Sequence, residues 1–272
     1  MSLPTDAPPD LPAHLPDYIA AGSGATALFL LHGVGGGKEV WAANTQPLAD
    51  AGYHVIAWDT PGYGASPLVA PYSTAQVAGA LKALIGHIGA RRSVVLGHSM
   101  GGMIAQEAYA LYPEMMDGLI LSATTAAFGK PGGEWQKEFL QARFAPLDAG
   151  RSMASLADEL VEGLVAPGTA AAVKQAMTRV MASVPQATYR LALTAIASFD
   201  QRLNLAKITV PTLVLAGEHD HTASAAVMER MAQRIPGAQY RQLPGVGHIA
   251  NMERPADFNT AVLEFLQQHF PV

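Results

Sequence analysis

The chain of 272 residues contains no cysteine. Disulfides, thiol nucleophiles and cysteine-ligated zinc or iron–sulfur sites are therefore excluded, so any chemistry must use oxygen and nitrogen groups. Charged residues are also scarce, at 14% of the chain against roughly 25% in an average globular domain, whereas apolar residues make up 50%. This composition argues against disorder and predicts a chain that buries a sizeable core.

Basic clusters and long apolar runs are missing as well. The 17 Lys and Arg residues face 22 Asp and Glu, without a local basic run, which argues against a nucleic-acid surface. No apolar run approaches the roughly 18 residues of a membrane-spanning helix. The proline-rich residues 1–16 lack the basic and apolar regions of a signal peptide. We expect a soluble, cytoplasmic protein that binds neither nucleic acid nor a membrane, while its oligomeric state has no signature in the sequence.

Short apolar runs alternate with longer helical patterns. The predicted strands are Thr26–Leu31, His54–Trp58, Ser93–Leu96, Gly118–Ser122, Thr212–Ala216 and Gln239–Leu243. The predicted helices among them are Val40–Asp50, Thr74–Ile88, Gly101–Tyr112, Ala223–Arg234 and Asp257–His269. Most strand runs are almost wholly apolar, as in parallel strands buried on both faces. The alternation predicts the α/β class: a doubly wound, mainly parallel central sheet with helices on both faces.

Residues 126–206 interrupt this alternation. They contain no convincing strand, and turns with Pro or Pro-Gly separate four helical patterns, Glu134–Phe144, Ser152–Leu164, Ala170–Ser183 and Ala187–Ser198. The apolar and aromatic side chains of these helices cannot all bury within the segment, so we predict a helical lid that packs on the sheet. The chain then divides into a loosely held arm (1–16), an α/β core (17–125 and 207–272) and this lid (126–206).

A G-x-S-x-G motif directly follows a predicted strand and precedes a predicted helix. The run from Gly97 to Gly101 reads G-H-S-M-G. In this context the motif predicts a nucleophile elbow, a sharp turn that exposes the serine hydroxyl at a helix N-terminus. Ser99 is thus the predicted nucleophile, and a glycine-rich turn with an idle serine is the alternative.

A serine nucleophile needs a base, and the base needs an orienting carboxylate. Asp220 and His248 each follow a predicted strand, at the sheet edge where α/β proteins bind ligands. The chain order Ser, Asp, His matches the order expected for a nucleophile elbow of this kind. We therefore predict a catalytic triad of Ser99, Asp220 and His248, the alternatives being a helix-capping Asp and a surface-loop His.

Two further loops carry polar or glycine-rich patterns. The run from His32 to Gly37 follows the first predicted strand and reads H-G-V-G-G-G. It predicts an oxyanion hole formed by the N–H groups of Val34 and Met100, whereas a phosphate loop would need a Gly-Lys-Ser/Thr that is missing.

The run from His219 to His221 has metal-binding residue types, but neighbours on one short loop rarely converge on one ion. We predict no metal and no cofactor.

With these motifs the chain resembles the α/β-hydrolase superfamily over nearly its whole length. Asp59–Ser66 looks like the D-x-x-G-x-G-x-S turn of that superfamily, and Val210–Gly217 resembles its strand before the acid. Gly247–Pro255 is most similar to the branch of 3-oxoadipate enol-lactonases and small esterases. The resemblance implies a serine hydrolase that cleaves a carboxylic ester or lactone of a small organic molecule through an acyl-enzyme.

The C–C bond hydrolases of meta-cleavage products form the second resembled branch. Gly36 stands where those enzymes usually have Pro, His98 where they have Asn, and Ile249 where they have Trp. Dehalogenases and epoxide hydrolases resemble the chain less, because they have Asp at the position of Ser99. A ligand receptor on the same fold is a third possibility.

The predicted lid supplies candidates for the substrate pocket. Its aromatic candidates are Trp135, Phe139 and Phe144, and its cationic candidates are Arg143 and Arg190, with Met153, Met177, Met181, Tyr189, Phe199, Arg151 and Arg179 as further possibilities. An Arg facing the pocket would suit a substrate carboxylate such as that of the enol lactones in the resembled branch. Packing against the core, or a solvated helix face, is the alternative for each of them.

Overall fold

The computed structural model describes residues 14–129 and 132–272, and in these ranges a central sheet of seven strands is flanked by helices. The strands are β1 (Tyr18–Ala21), β2 (Thr26–Leu31), β3 (His54–Trp58), β4 (Arg92–His98), β5 (Gly118–Ser122), β6 (Thr212–Gly217) and β7 (Gln239–Leu243). They lie in the order β1-β3-β2-β4-β5-β6-β7, and β2 to β7 run parallel. The predicted α/β class with a mainly parallel sheet is confirmed.

One strand is absent from the sequence prediction. β1 pairs antiparallel with β3 at the edge of the sheet, with Tyr18 opposite Trp58. Its four residues are too few to show a period, so pairing with β3 determines its conformation. Of the arm predicted for residues 1–16, residues 1–13 lie outside the described ranges, and Leu15 is buried.

Ten α-helices are present in the described ranges. They are α1 (Thr45–Asp50), α2 (Thr74–Ile88), α3 (Met100–Leu111), α4 (Glu134–Asp148), α5 (Met153–Glu162), α6 (Ala171–Ser183), α7 (Gln186–Ala197), α8 (Ala225–Ala232), α9 (Ala250–Glu253) and α10 (Pro255–His269). Helices α4 to α7 lie between β5 and β6 in the chain and form a helical insert, whose function as a lid stays a prediction. No helix in the described part of the chain combines the length and apolarity needed to cross a membrane.

The single helix predicted over Val40–Asp50 is wrong. The structure has a 3-10 turn at Lys38–Trp41, followed by the separate helix α1. Pro47 lacks the N–H that a continuous helix would direct at the carbonyl oxygen of Ala43. The side-chain amide of Asn259 on α10 donates to that oxygen instead, at 3.1 Å.

The parallel strands bring the predicted functional loops together. β2 and β6 are buried along their whole length, and β4 is buried at every residue except its first. Because β2, β4, β6 and β7 run in the same direction, the loops that follow them emerge at one edge of the sheet. These loops carry Val34, Ser99, Asp220 and His248.

Candidate active site

Ser99 occupies a strained turn between β4 and α3. Its backbone has φ 53° and ψ −117°, a region that residues with a side chain rarely adopt. The turn needs the glycines around it, since a Cβ on Gly97 would lie 2.4 Å from the carbonyl oxygen of Gly101. A Cβ on Gly101 would lie 2.3 Å from the carbonyl oxygen of Leu31. The two close approaches explain the spacing of the glycines, and the turn leaves Ser99 partly exposed.

Asp220 and His248 form a buried hydrogen-bonded pair. Nδ1 of His248 lies 2.8 Å from Oδ2 of Asp220, while Oδ1 accepts from the N–H groups of Thr222 at 2.7 Å and Ala223 at 2.9 Å. Burial raises the pKa of the Asp220 carboxyl, but these hydrogen bonds outweigh that effect and hold the pKa below its ordinary value. Because an ionised carboxylate only accepts, Nδ1 carries a proton, and the lone pair of the neutral imidazole lies on Nε2.

The third predicted member of the triad lies at the same cavity. Ser99 and His248 both line a cavity of about 500 Å³ at the carboxyl edge of the sheet. Among the hydrogen bonds of the described residues none joins Ser99 to His248. In enzymes without bound substrate, such catalytic hydrogen bonds are often long and tighten in the substrate complex.

The glycine loop (residues 32–37) lines the cavity with residues 33–36, which include Val34. Neither Val34 nor Met100 uses its backbone N–H in a hydrogen bond within the described residues, and Met100 is the first residue of α3. The positive end of the helix dipole therefore lies beside Ser99. Stabilisation of an oxyanion requires free N–H donors, and the two predicted for it are both without a partner in the described residues.

Buried side chains hold the glycine loop in place. Nδ1 of His32 lies 2.8 Å from the carbonyl oxygen of Gly33, and its Nε2 accepts from the N–H of Thr60 at 2.9 Å. Burial lowers the pKa of His32, which keeps the ring neutral for these two bonds. The hydroxyl of Tyr63 donates to the carbonyl oxygen of Val34 at 2.8 Å. Tyr63 lies within the Asp59–Ser66 motif, but the motif does not reveal this partner.

Two further side chains that support the site were not predicted. Nε2 of His98 lies 2.9 Å from the carbonyl oxygen of His248, and burial together with the neighbouring His248 lowers the pKa of His98 to about 3. The hydroxyl of Thr124 donates to the carbonyl oxygen of Ser99 at 2.7 Å. His98 is part of the G-x-S-x-G motif, but its partner lies 150 residues away and has no local signal.

The pocket residues predicted from the insert divide into two groups. Trp135, Phe139 and Arg143 line the cavity, as do Met177, Met181 and Tyr189. Phe144 and Arg190 are not part of the lining, and neither are Met153, Phe199, Arg151 and Arg179. Arg190 forms a salt bridge with Asp148, and its guanidinium lies 4.9 Å from the centroid of the Phe144 ring. Arg190 and Phe144 are thus partners of each other on the insert rather than pocket residues.

Arg143 differs from Arg190 in its partners. Its guanidinium lies 5.4 Å from the centroid of the Phe139 ring, and it forms no salt bridge within the described residues. Glu159, the other charged residue of the insert that lines the cavity, pairs with Arg151 at 3.2 Å. The described lining therefore presents a cation without a carboxylate partner beside an aromatic wall.

Several curated relatives match most of this chain. RutD of Variovorax paradoxus (strain S110), named as a carbamate hydrolase, is 29% identical over 88% of this chain and 91% of its own. A 2-hydroxy-6-oxononadienedioate/2-hydroxy-6-oxononatrienedioate hydrolase of a Pseudomonas species is 28% identical over 90% of this chain and 89% of its own. The 3-oxoadipate enol-lactonase 2 of Acinetobacter baylyi is 28% identical over 87% of this chain and 86% of its own. Two of the three are named as hydrolases, and the third is named as a lactonase.

Solved structures show the same similarity. A thermophilic esterase from Thermogutta terrifontis, solved with malate bound, superposes with a TM-score of 0.84 at 28% identity, covering 93% of both chains. The enol-lactonase from Burkholderia xenovorans LB400 gives 0.81 at 27% identity, covering 92% of this chain and 95% of its own. The family model of the alpha/beta hydrolase fold matches residues 26–255. Since that match spans the glycine loop, the elbow and both partners of the buried pair, the chain belongs to the α/β-hydrolase fold family.

Proposed function

We propose that the protein is a serine hydrolase that cleaves a carboxylic ester or lactone of a small organic molecule. The observation that carries the proposal is the 2.8 Å hydrogen bond between His248 and Asp220, beside a cavity that Ser99 also lines. Because Nδ1 is directed at Asp220, Nε2 is the nitrogen available as a base next to a serine whose backbone is held in a strained turn. We also propose that the helical insert acts as a lid over this cavity.

The proposed reaction proceeds through an acyl-enzyme. Nε2 of His248 takes the hydroxyl proton of Ser99 as Oγ bonds to the carbonyl carbon, and Asp220 stabilises the imidazolium. The oxyanion accepts from the N–H groups of Val34 and Met100. Collapse of the tetrahedral intermediate expels the alcohol, which takes the proton from His248. Water then attacks the acyl carbon with His248 as base, and Ser99 leaves with its proton restored.

The cavity supports a substrate with an apolar body and a negatively charged group. A volume of about 500 Å³ holds roughly 17 atoms of the size of a water molecule, at about 30 Å³ for each. Phe128, Trp135 and Phe139 pack as a cluster on its wall, with ring centroids 4.8 to 5.7 Å apart. Beside this wall, Arg143 is available to pair with a carboxylate of the substrate.

Cleavage of a C–C bond is the second candidate, because the chain resembles the branch of C–C bond hydrolases. A 2-hydroxy-6-oxononadienedioate/2-hydroxy-6-oxononatrienedioate hydrolase also matches 90% of this chain at 28% identity. Gly36, His98 and Ile249 depart from the residues usual in that branch, which favours the ester or lactone. The similarity to an esterase and to an enol-lactonase structure supports the same choice. Because RutD is named as a carbamate hydrolase, carbamates are a further class of substrate to test.

A panel of substrates tests the proposal. Lactones, aryl and alkyl esters, carbamates and a coloured ring-fission dienolate are offered to the wild-type protein and to Ser99→Ala. We expect turnover of an ester or lactone, and a fall in kcat of at least about a thousandfold in the folded variant. Faster bleaching of the dienolate than ester hydrolysis would favour the C–C candidate. An active Ser99→Ala protein would contradict the role of the serine.

A further inference from the structure

Glu253 stands at the end of α9, five residues after His248, and the proposed chemistry does not use it. The half-buried carboxylate accepts hydrogen bonds in two directions. Oε1 accepts from the N–H of Gly247 at 2.9 Å, and Oε2 accepts from the N–H of Ala166 at 2.8 Å and the hydroxyl of Thr169 at 2.6 Å. One side chain therefore joins the residue before His248 to the turn between α5 and α6 of the insert.

The same two segments also contact each other directly. The N–H of His248 donates to the carbonyl oxygen of Leu164 at 2.7 Å. A Cβ on Gly247 would lie 2.7 Å from both that oxygen and the nitrogen of Ala166, so the two backbones pack with no room for a side chain. The position of His248 therefore depends on where the turn of the insert lies. Glu253 adds hydrogen bonds to both segments, at Gly247 and at Ala166.

We propose that Glu253 is a positioning residue that sets the direction of the His248 imidazole by fixing Gly247 against the insert. The inference rests on the proposed role of His248 as the base for Ser99. Gly163 and Leu164 of the same turn line the cavity, so Glu253 also couples the wall of the pocket to the base. Displacing the backbone at His248 moves Nε2 relative to Ser99, and a misplacement of about 1 Å can cost about a hundredfold in rate.

Three variants separate positioning from general stabilisation. Glu253→Gln keeps the size of the side chain, but an amide has only one acceptor oxygen, so either the Gly247 side or the Ala166 side loses its bond. Thr169→Val keeps the carboxylate and removes the hydroxyl, which lies 2.6 Å from Oε2 of Glu253 and 2.8 Å from the carbonyl oxygen of Ala166. Glu218→Gln is the matched control, because Glu218 accepts from the N–H of Gly245 in the same loop at 2.8 Å and has no hydrogen bond or salt bridge to the described part of the insert.

The experiment measures how fast a fluorophosphonate modifies Ser99, read by intact mass from pH 5.5 to 9, together with the thermal unfolding midpoint of each variant. We expect Glu253→Gln to react 10- to 100-fold more slowly, and Thr169→Val a fewfold more slowly, each measured well below its unfolding midpoint. The apparent pKa of the rate should fall in Glu253→Gln, because a displaced imidazolium loses part of its contact with Asp220. Glu218→Gln should react within twofold of the wild type.

Three other outcomes would contradict the role of Glu253 or the proposed function. If Glu253→Gln unfolds at a lower temperature but keeps the rate and pH profile of the wild type, Glu253 only stabilises the fold. If Glu253→Gln does not fold, Thr169→Val decides, and a wild-type rate in that variant overturns the proposal. If the folded wild-type protein does not react at all, the proposed function itself fails and the role of Glu253 fails with it.

Discussion

The imidazole of His98 lies with its Nε2 2.9 Å from the carbonyl oxygen of His248, so the residue before the proposed nucleophile supports the backbone of the proposed base. The two rings are 4.9 Å apart between centroids. Only a neutral His98 suits this place, because a second positive charge would oppose the imidazolium that forms on His248 during reaction. Burial and the nearby His248 keep the His98 ring neutral, since they lower its pKa to about 3.

The lowered pKa of His98 predicts a pH dependence of stability. In the folded protein the pKa lies at about 3 against an ordinary value of 6.5, so the unfolded chain binds the proton first as the pH falls. The contribution of His98 to stability is therefore complete above pH 6.5 and is lost progressively between pH 6.5 and about pH 3. Between pH 7 and pH 4.5 the loss should be about 2 to 3 kcal/mol.

Urea unfolding of the wild type and of His98→Gln at these two pH values checks this prediction. Gln keeps an N–H donor for the carbonyl oxygen of His248 but does not titrate. The free energy of unfolding of the wild type should therefore fall by about 2 to 3 kcal/mol more than that of the variant. Equal losses in both proteins would show that His98 is not the group that titrates.

Tyr63 should support the proposed oxyanion hole through its hydrogen bond to the carbonyl oxygen of Val34. Tyr63→Phe removes the donor to the carbonyl oxygen of Val34 and leaves that oxygen without its partner, which lowers stability by about 1 kcal/mol. Because the Val34 N–H then loses its fixed direction, we expect kcat for an ester to fall about tenfold with little change in KM. Tyr53→Phe is the matched control, since Tyr53 donates to the carbonyl oxygen of Phe270 at 3.3 Å and does not line the cavity. A kcat that falls equally in both variants would remove the special role of Tyr63.

Arg143 should select substrates by charge. Arg143→Gln is predicted to raise KM three- to tenfold for an ester that carries a second, free carboxylate, and to leave KM for its neutral methyl diester unchanged. Arg190→Gln is the control, because Arg190 also lies over a phenylalanine ring but pairs with Asp148 outside the cavity lining. Steady-state kinetics on the two esters give the comparison, and an equal KM change for both would exclude a carboxylate site at Arg143.

The sequence predicts the sheet and the loops of the site well, because both depend on local patterns. Apolar runs place five of the six parallel strands, all except β7 with its sequence Q-Y-R-Q-L, and glycines at fixed spacing mark the turn that holds Ser99. All parallel strands end at the same edge of the sheet, so Asp220 and His248 could be assigned to one edge without knowing the strand order. In the structure these two residues form a buried hydrogen-bonded pair at that edge.

Features that depend on contacts between distant residues were not predictable in this way. Strand β1 is defined by its pairing with β3, and the break before α1 is stabilised by an amide from α10. The roles of His98 and Glu253 likewise depend on partners in other loops. Arg143 and Arg190 are both arginines of insert helices, and only packing places Arg143 at the cavity and Arg190 against Asp148.

The central claim is that Ser99 is an activated nucleophile. Wild type and Ser99→Ala are incubated with an active-site phosphonate, and the intact mass of each protein is measured. We expect one covalent adduct on the wild type, lost in Ser99→Ala, with the label on the peptide that contains Ser99. A folded wild-type protein that stays unlabelled, or a Ser99→Ala protein that labels equally, would contradict it.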